Sequence, residues 1–294
     1  MTLLDKRIQQ DLTEWLSGKE INAAKNIHDA LKSVSTKGLP QYFTGKRDAE
    51  TVLITLNPGI DSKIADYKGI CQYAKAKDKG LSLEDFIKAY EHELRNYGDR
   101  CDEVARYDEF DIKQAAFLTH WENSGLGRSQ STHWDEARFC LDAKKNVLLN
   151  KLQLELIPYA SSQFEIKKKD IKFLYPFIEI LLDEVFSHER KYVIFTSGLF
   201  EDLFNSYNQC HPGTFDLSGD KYEFEYKNKA GSQGKKKLHC KVIWINYKEK
   251  KQKALIAHSF PMRSLNRAFG IMEEYGHFCY DRFMNKPIQT PQQP

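Results

Sequence analysis

The sequence contains no long hydrophobic run, although it extends over 294 residues. A membrane-spanning helix needs about 20 consecutive apolar residues, and a secretory signal needs an apolar centre. The opening stretch MTLLDKRIQQDLTEWL carries charges where that centre would lie. We therefore expect a globular, cytoplasmic protein that has no membrane partner and acts as a monomer.

Cysteine is sparse, and its spacing excludes a disulfide scaffold. The six cysteines are widely separated and form no CxxC pair, which is typical of free thiols. A zinc site formed by Cys210-His211 and His239-Cys240 is disfavoured, because adjacent residues of a strand point to opposite faces. We expect no metal and no redox cofactor. The cysteines are Cys71, Cys101, Cys140, Cys210, Cys240 and Cys279.

The chain also lacks the glycine-rich motifs that hold nucleotide phosphates, and it has no internal repeat. Its net charge is only +3, but ten lysines and a single acid lie between Lys227 and Lys253. Such a segment favours contact with nucleic-acid phosphates, particularly through Lys235, Lys236 and Lys237. The alternative is a solvated sheet edge that lysines protect from edge-to-edge pairing.

Hydrophobic periodicity predicts an α/β protein. Two amphipathic helices, Leu3 to Leu16 and Ile21 to Leu31, precede a loop with the sequence LPQYFTGKRDAE and a first buried strand, Val52 to Leu56. Further strands follow at Leu152 to Pro158, Lys191 to Gly198 and Lys253 to Pro261, and helical segments separate them. Strands alternating with helices indicate crossover units and a parallel sheet. We predict a three-layer α/β/α sandwich with a mainly parallel four-stranded sheet and an extra antiparallel hairpin.

The domain prediction is a single unit over residues 1–284. It contains N-terminal helices within 1–35 and a lysine-rich hairpin insertion at about 220–250, and a disordered tail follows at 285–294. The hairpin is predicted from alternating residues at Tyr222 to Tyr226 and Leu238 to Tyr247, which flank a Gly/Lys turn.

Polar residues stand where each predicted strand ends. Asn57 and Gly59 follow the first strand, Glu155 lies near the end of the second, Ser197 ends the third, and His258 ends the fourth. In open α/β sheets the working residues lie at the carboxyl ends of the strands, so we expect these residues to line one crevice. Turn formation by Asn-Pro-Gly is the simpler explanation of the first of them.

Two of these strand ends resemble the active-site motifs of the uracil-DNA glycosylase superfamily. LNPGI after the first strand is similar to the Asn-Pro-Gly form of the mismatch-specific and single-strand-selective branches. HSFPMRS after the last strand resembles the His-Pro-Ser-Pro loop that enters the minor groove. His258 and Pro261 match that loop, whereas Ser259 and Phe260 depart from it.

The resemblance implies a role for each motif residue. Asn57 would position the water that attacks the sugar, and His258 would donate a hydrogen bond to the leaving base. Met262 or Arg263 would fill the gap left by the flipped nucleotide. Gly59 would line the base pocket, and Ser197 would contact DNA. For His258 alone, a satisfied histidine at a strand end is the alternative.

Glu155 occupies the place where uracil-directed relatives carry a base-reading Asn. An ionised carboxylate only accepts hydrogen bonds, so it suits the amino group of cytosine and not the O4 atom of uracil. Tyr67 is a candidate for stacking on the flipped base. The alternative is that Glu155 points away as a surface charge.

Together these features predict a monofunctional DNA glycosylase that removes a modified cytosine and leaves an abasic site. Some bacterial relatives in this superfamily excise glucosylated hydroxymethylcytosine from phage DNA in antiviral defence, and phage DNA with modified bases is the expected partner. Two alternatives remain open: a uracil or mismatch repair glycosylase, and a non-catalytic nucleic-acid-binding module on the same fold.

Overall fold

The computed structural model describes residues 1–31, 34–37, 40–56, 109–121, 150–161, 166–227, 235–258 and 269–285. The α-helices of this part are α1 (Leu3–Leu16), α2 (Asn22–Leu31), α3 (Glu109–Leu118), α4 (Tyr175–Val185), α5 (Leu199–Cys210) and α6 (Phe269–Phe283), and a 3₁₀ helix at Lys168–Leu174 precedes α4. The strands are β1 (Phe43–Gly45), β2 (Thr51–Thr55), β3 (Lys151–Glu155), β4 (Tyr192–Phe195), β5 (Phe215–Asp216), β6 (Lys221–Lys227), β7 (Lys235–Tyr247) and β8 (Lys250–Ala257).

All eight strands belong to one sheet with a parallel centre. The order is β1-β3-β2-β4-β8-β7-β5. Strand β6 pairs with the first half of β7, on the same edge where β5 pairs with the second half. Strands β3, β2, β4 and β8 run parallel to one another. Strand β2 is buried at every position, as its unbroken apolar run TVLIT predicts for a central parallel strand.

Both faces of the parallel strands are covered by apolar side chains. Val52 and Ile54 belong to a core cluster that they share with residues of α1, α2, α4 and α5. Leu53, which points to the other face, belongs to a second cluster with residues of α3 and α6. No helix in the described part of the chain is long and apolar enough to cross a membrane.

Two expectations about the sheet need correction. It has eight strands and not four, because antiparallel strands extend both sides of the parallel centre. Two of them, β6 and β7, form the predicted antiparallel hairpin, and β7 also pairs with β8. The segment predicted as a loop before β2 contains β1, which pairs antiparallel with β3. The predicted tail from 286 onward lies outside the described residues.

Candidate functional site

The carboxyl ends of the four parallel strands form one edge of the sheet. From β2 the chain continues to β3 on one side and then to β4 on the other, so the winding direction reverses between β2 and β4. Open α/β sheets bind ligands outside the carboxyl ends of their strands at such a reversal. Glu155, Ser197 and His258 all lie at this edge, as the sequence predicts.

His258 directly follows β8 and is held by backbone and side-chain contacts. Its backbone N–H donates to the carbonyl oxygen of His239 (3.0 Å), and its own carbonyl accepts from Gly198 N–H (3.1 Å). Its ring Nε2 lies 2.6 Å from Oε2 of Glu201 in the first turn of α5. Lys241 of β7 donates to the other oxygen of Glu201 at 2.7 Å. The three side chains form a line from β7 across α5 to the end of β8.

The two ring nitrogens of His258 have different surroundings. Nδ1 is buried and has no hydrogen-bond partner within the described part of the chain. Burial lowers the pKa of His258, and the hydrogen bond with Glu201 opposes that shift. Burial alone would raise the pKa of Glu201, but the hydrogen bonds from Lys241 and His258 lower it. Both shifts favour an ionised Glu201 beside a neutral His258.

Gly198 packs against this histidine just before α5, and Ser197 precedes it in the chain. A Cβ added to Gly198 would lie 3.1 Å from Cδ2 of His258, so the absence of a side chain lets the ring approach. The Ser197 hydroxyl accepts a hydrogen bond from the N–H of Leu199 (3.2 Å), so it participates in the turn that begins the helix. Its predicted contact with DNA stays a prediction.

Glu155 ends a row of polar side chains along one face of β3. Gln153 donates to its Oε1 (2.8 Å), and Lys151 donates to the side-chain oxygen Oε1 of Gln153 (3.2 Å). The hydroxyl of Thr55, directly opposite on β2, donates to Oε2. Burial raises the pKa of Glu155, while Thr55, Gln153 and the charge of Lys151 oppose the shift. Glu155 is thus a partly buried, hydrogen-bonded carboxyl group and not an isolated surface charge.

Glu155 and His258 share the edge but are not in contact. Strands β2 and β4 lie between β3 and β8, which corresponds to a separation of about 14 Å at the usual strand spacing. Glu155 points to the sheet face of Leu53, whereas Glu201 approaches His258 from α5, which packs on the face of Val52. A ligand that meets both must extend across the reversal between β2 and β4.

The hairpin of β6 and β7 extends beyond this edge. Cys240 pairs with Ala257, the last residue of β8, so Lys235 to Leu238 project past His258 by about 13 Å. Lys237 on this projection forms an ion pair with Glu223 (2.6 Å). The acids of β6 therefore neutralise part of the lysine-rich segment, which the sequence count alone did not indicate.

Several predicted site residues lie outside the described part of the chain. They are Asn57, Gly59, Tyr67, Met262 and Arg263. Their predicted roles stay predictions. Leu56 after β2 and His258 after β8 are the last described residues before two of these gaps, and both lie at the carboxyl edge.

Sequence reasoning missed Glu201 and Lys241. An acidic residue in the first turn of a helix is the usual complement to the helix dipole, so Glu201 gave no separate signal. Lys241 was one of ten lysines in its segment. Only the pairing of β7 with β8 brings Lys241 close to the residue that follows β8.

Comparison with known proteins adds no relative to this description. No protein-family model, curated protein or solved structure matches the chain.

Proposed function

We propose that this protein is a DNA glycosylase that hydrolyses the N-glycosidic bond of a flipped base, with a modified cytosine as substrate. The observation that carries the proposal is the partly buried His258–Glu201 pair at the carboxyl edge of β8. The Asn-Pro-Gly sequence follows β2 two strands away. A base must leave the stack before its glycosidic bond can be attacked, and a crevice at this edge would receive it.

We also propose a three-layer α/β/α arrangement for the domain. Two separate apolar clusters on opposite faces of β2 support it, one with α1, α2, α4 and α5 and the other with α3 and α6. In that arrangement the helices cover the two faces of the sheet, and the carboxyl edge of the parallel strands stays open.

The surroundings of Glu155 support the choice of base. Thr55 and Gln153 both donate to its carboxyl oxygens, which orients the group as a hydrogen-bond acceptor, while burial raises its pKa. Such a group matches the N4 amino group of cytosine and opposes the O4 acceptor of uracil. An unpaired buried polar group costs about 1 to 3 kcal/mol, which corresponds to a ten- to hundredfold preference.

The test is the formation of alkali-labile abasic sites in oligonucleotides that differ only in one base. The series contains uracil, cytosine, 5-hydroxymethylcytosine and glucosylated 5-hydroxymethylcytosine. We expect release of a modified cytosine by the wild type and a changed preference in Glu155→Gln. Efficient uracil excision, or an unchanged preference in that variant, would contradict the assignment of the base.

The water-positioning role proposed for Asn57 gives a second test. Asn57→Ala should abolish base release and leave DNA affinity nearly unchanged, because positioning of water acts on the transition state. Affinity that falls as far as the rate would indicate a structural role for Asn57.

A non-catalytic nucleic-acid-binding protein is the second candidate, and the projecting β6–β7 hairpin favours it. Lysines on an arm beyond the sheet edge are suited to phosphate contacts whether or not chemistry follows. DNA binding by the wild type without abasic sites in any of the oligonucleotides would favour this candidate.

A further inference from the structure

One ring nitrogen of His258 is buried. The His258 side chain is only 10% exposed, and its Nδ1 has no hydrogen-bond partner in the part of the chain that the structure describes. Buried polar atoms normally have a partner, so this nitrogen is placed to meet a group that binds at the edge. Which group it can meet depends on whether it carries a proton.

The charges around the ring determine where its proton lies. Lys241 and His258 both contact Glu201, which favours the ionised carboxylate. An ionised carboxylate only accepts hydrogen bonds, so the 2.6 Å contact requires a proton on Nε2. A second proton on Nδ1 is disfavoured by burial and by the neighbouring Lys221 and His239. The histidine is then neutral, with a free lone pair on Nδ1.

The geometry points to Glu201 as a positioning residue that makes Nδ1 of His258 the proton acceptor for the attacking water. This inference rests on the proposed glycosylase function and assigns to His258 a role different from that of a donor to the leaving base. The sequence resemblance gives no indication of Glu201, because it concerns only the two strand-end motifs.

The chemical step balances without any further reactant. The water oxygen forms a bond to the anomeric carbon as the bond to the base nitrogen breaks, and that bonding pair stays on the base. One water proton passes to Nδ1, and the released base anion then takes up that proton from His258, which returns the histidine to its neutral form. While His258 is cationic, the Glu201 carboxylate at Nε2 stabilises the positive charge.

Lys241 supports this arrangement from the side opposite the histidine. Its ammonium group holds one oxygen of Glu201 at 2.7 Å and leaves the other for the ring. Loss of Lys241 should weaken the orientation of Glu201 without removing the carboxylate, so its effect should be smaller than that of changing Glu201 itself.

The test uses the full chain and the modified-cytosine oligonucleotide that the wild type cleaves. Glu201→Gln should lower kcat by about 10²- to 10⁴-fold, as expected for loss of efficient general-base catalysis, while KM changes little. Lys241→Met should cause a smaller loss. Asp202→Asn is the matched control, because Asp202 carries the same charge in the same helical turn but is exposed.

The pH profile separates a proton acceptor from a donor. If Nδ1 accepts the proton, kcat/KM rises with pH through the pKa of His258 and then levels off. Removal of the negative charge in Glu201→Gln should shift this inflection to lower pH. A rate that falls as pH rises through the same range would show that protonated His258 acts as a donor and would overturn the inference.

Nitrogen NMR of the histidine ring gives a reading that does not depend on activity. At pH 7 we expect the neutral form with its proton on Nε2 in the wild type. A proton on Nδ1 at that pH would overturn the inference even if the enzyme is active. If the wild type forms no abasic sites, the proposed function fails, and with it the catalytic role that rests on it; the NMR spectrum then still decides whether Glu201 sets the tautomer.

Discussion

Asp11 is a buried carboxyl group that serves the fold outside the candidate site. Its Oδ2 accepts hydrogen bonds from the hydroxyls of Tyr42 (2.6 Å) and Tyr159 (2.5 Å), and Arg7 lies 3.6 Å from Oδ1. Burial raises the pKa of Asp11, and the two tyrosines and Arg7 oppose that shift. The group joins α1 to the segments that flank β1 and β3.

Because the pKa of Asp11 is raised in the folded protein, the free energy of unfolding should fall as pH increases. Between the ordinary pKa of 3.8 and the higher folded value, the folded protein binds more protons than the unfolded chain. The stability contributed by protonated Asp11 is therefore complete below 3.8 and is lost as pH rises through the folded pKa. Asp11→Asn should remove this dependence, which urea unfolding at a series of pH values would measure.

The control for that experiment is Asp202→Asn, which should keep the wild-type pH dependence because Asp202 is exposed. Asp11→Ala should instead lower the free energy of unfolding by about 2 to 5 kcal/mol, because it removes a shared acceptor and leaves a cavity. An Asp11→Asn profile identical to wild type would show that Asp11 does not titrate in this range.

Single residues differ in how well the sequence predicts them. The positions of His258 and Glu155 at the sheet edge were predictable because each is a polar residue near the end of a predicted strand. The polar partners of Glu155 on β3 follow from the two-residue period of a strand, which places Lys151, Gln153 and Glu155 on one face. Glu201 was not predictable, because its contact with His258 joins two elements that are 57 residues apart.

Between elements, helices α3 and α6 approach each other closely at Gly276. A Cβ on Gly276 would lie 1.9 Å from the carbonyl oxygen of Phe117, so the two helices approach each other through a residue without a side chain. This contact holds α6 against α3, and side chains from both helices cover the Leu53 face of the sheet.

Gly276→Ala should therefore force the helices apart and lower the free energy of unfolding by about 1 to 3 kcal/mol. Gly270→Ala in the same helix is the control, because no atom of the described residues lies within 4 Å of its added Cβ. That control should be neutral or slightly stabilising, since alanine restricts the unfolded chain. Thermal unfolding of both variants checks the prediction, and equal stability of the two would contradict it.

The sequence predicts an element well where one hydrophobic periodicity extends over several turns of a helix or several residues of a strand. Helix α1 has the predicted bounds, and α2 and the four parallel strands differ from theirs by a few residues. The short strands β1 and β5 were missed, because three and two residues are too few to show alternation. The strands with which β1 and β5 pair lie far away in sequence, so β1 and β5 can be recognised only in the folded sheet.

For the whole molecule, the lysine-rich hairpin projects from the edge that carries His258. Replacing Lys235, Lys236 and Lys237 with Gln should weaken DNA binding regardless of sequence. It should also reduce the dependence of log K on log salt by up to about 0.9 for each phosphate that the variant no longer neutralises. The ion pair with Glu223 offsets part of the charge of Lys237, so we expect the contribution of Lys237 to be small.

The control is a triple Gln variant of Lys248, Lys250 and Lys251. These lysines lie at the β7–β8 turn, at the opposite end of the sheet, and Lys248 is paired with Asp183. The change in net charge is the same, so a loss of affinity confined to the hairpin variant locates the DNA. Equal salt dependence in wild type and hairpin variant would favour the role of a protected sheet edge.

The order of the strands along the chain has a consequence for folding during synthesis. Central strand β2 pairs with β3 and β4, whose segments begin about a hundred or more residues later. At the usual rates of translation, its apolar residues wait on the order of 10 s for both neighbours. Contacts of such long sequence separation also form slowly. We expect a nascent chain that ends before β4 to be recognised by chaperones through Val52, Leu53 and Ile54, and release to require the emergence of Tyr192–Phe195.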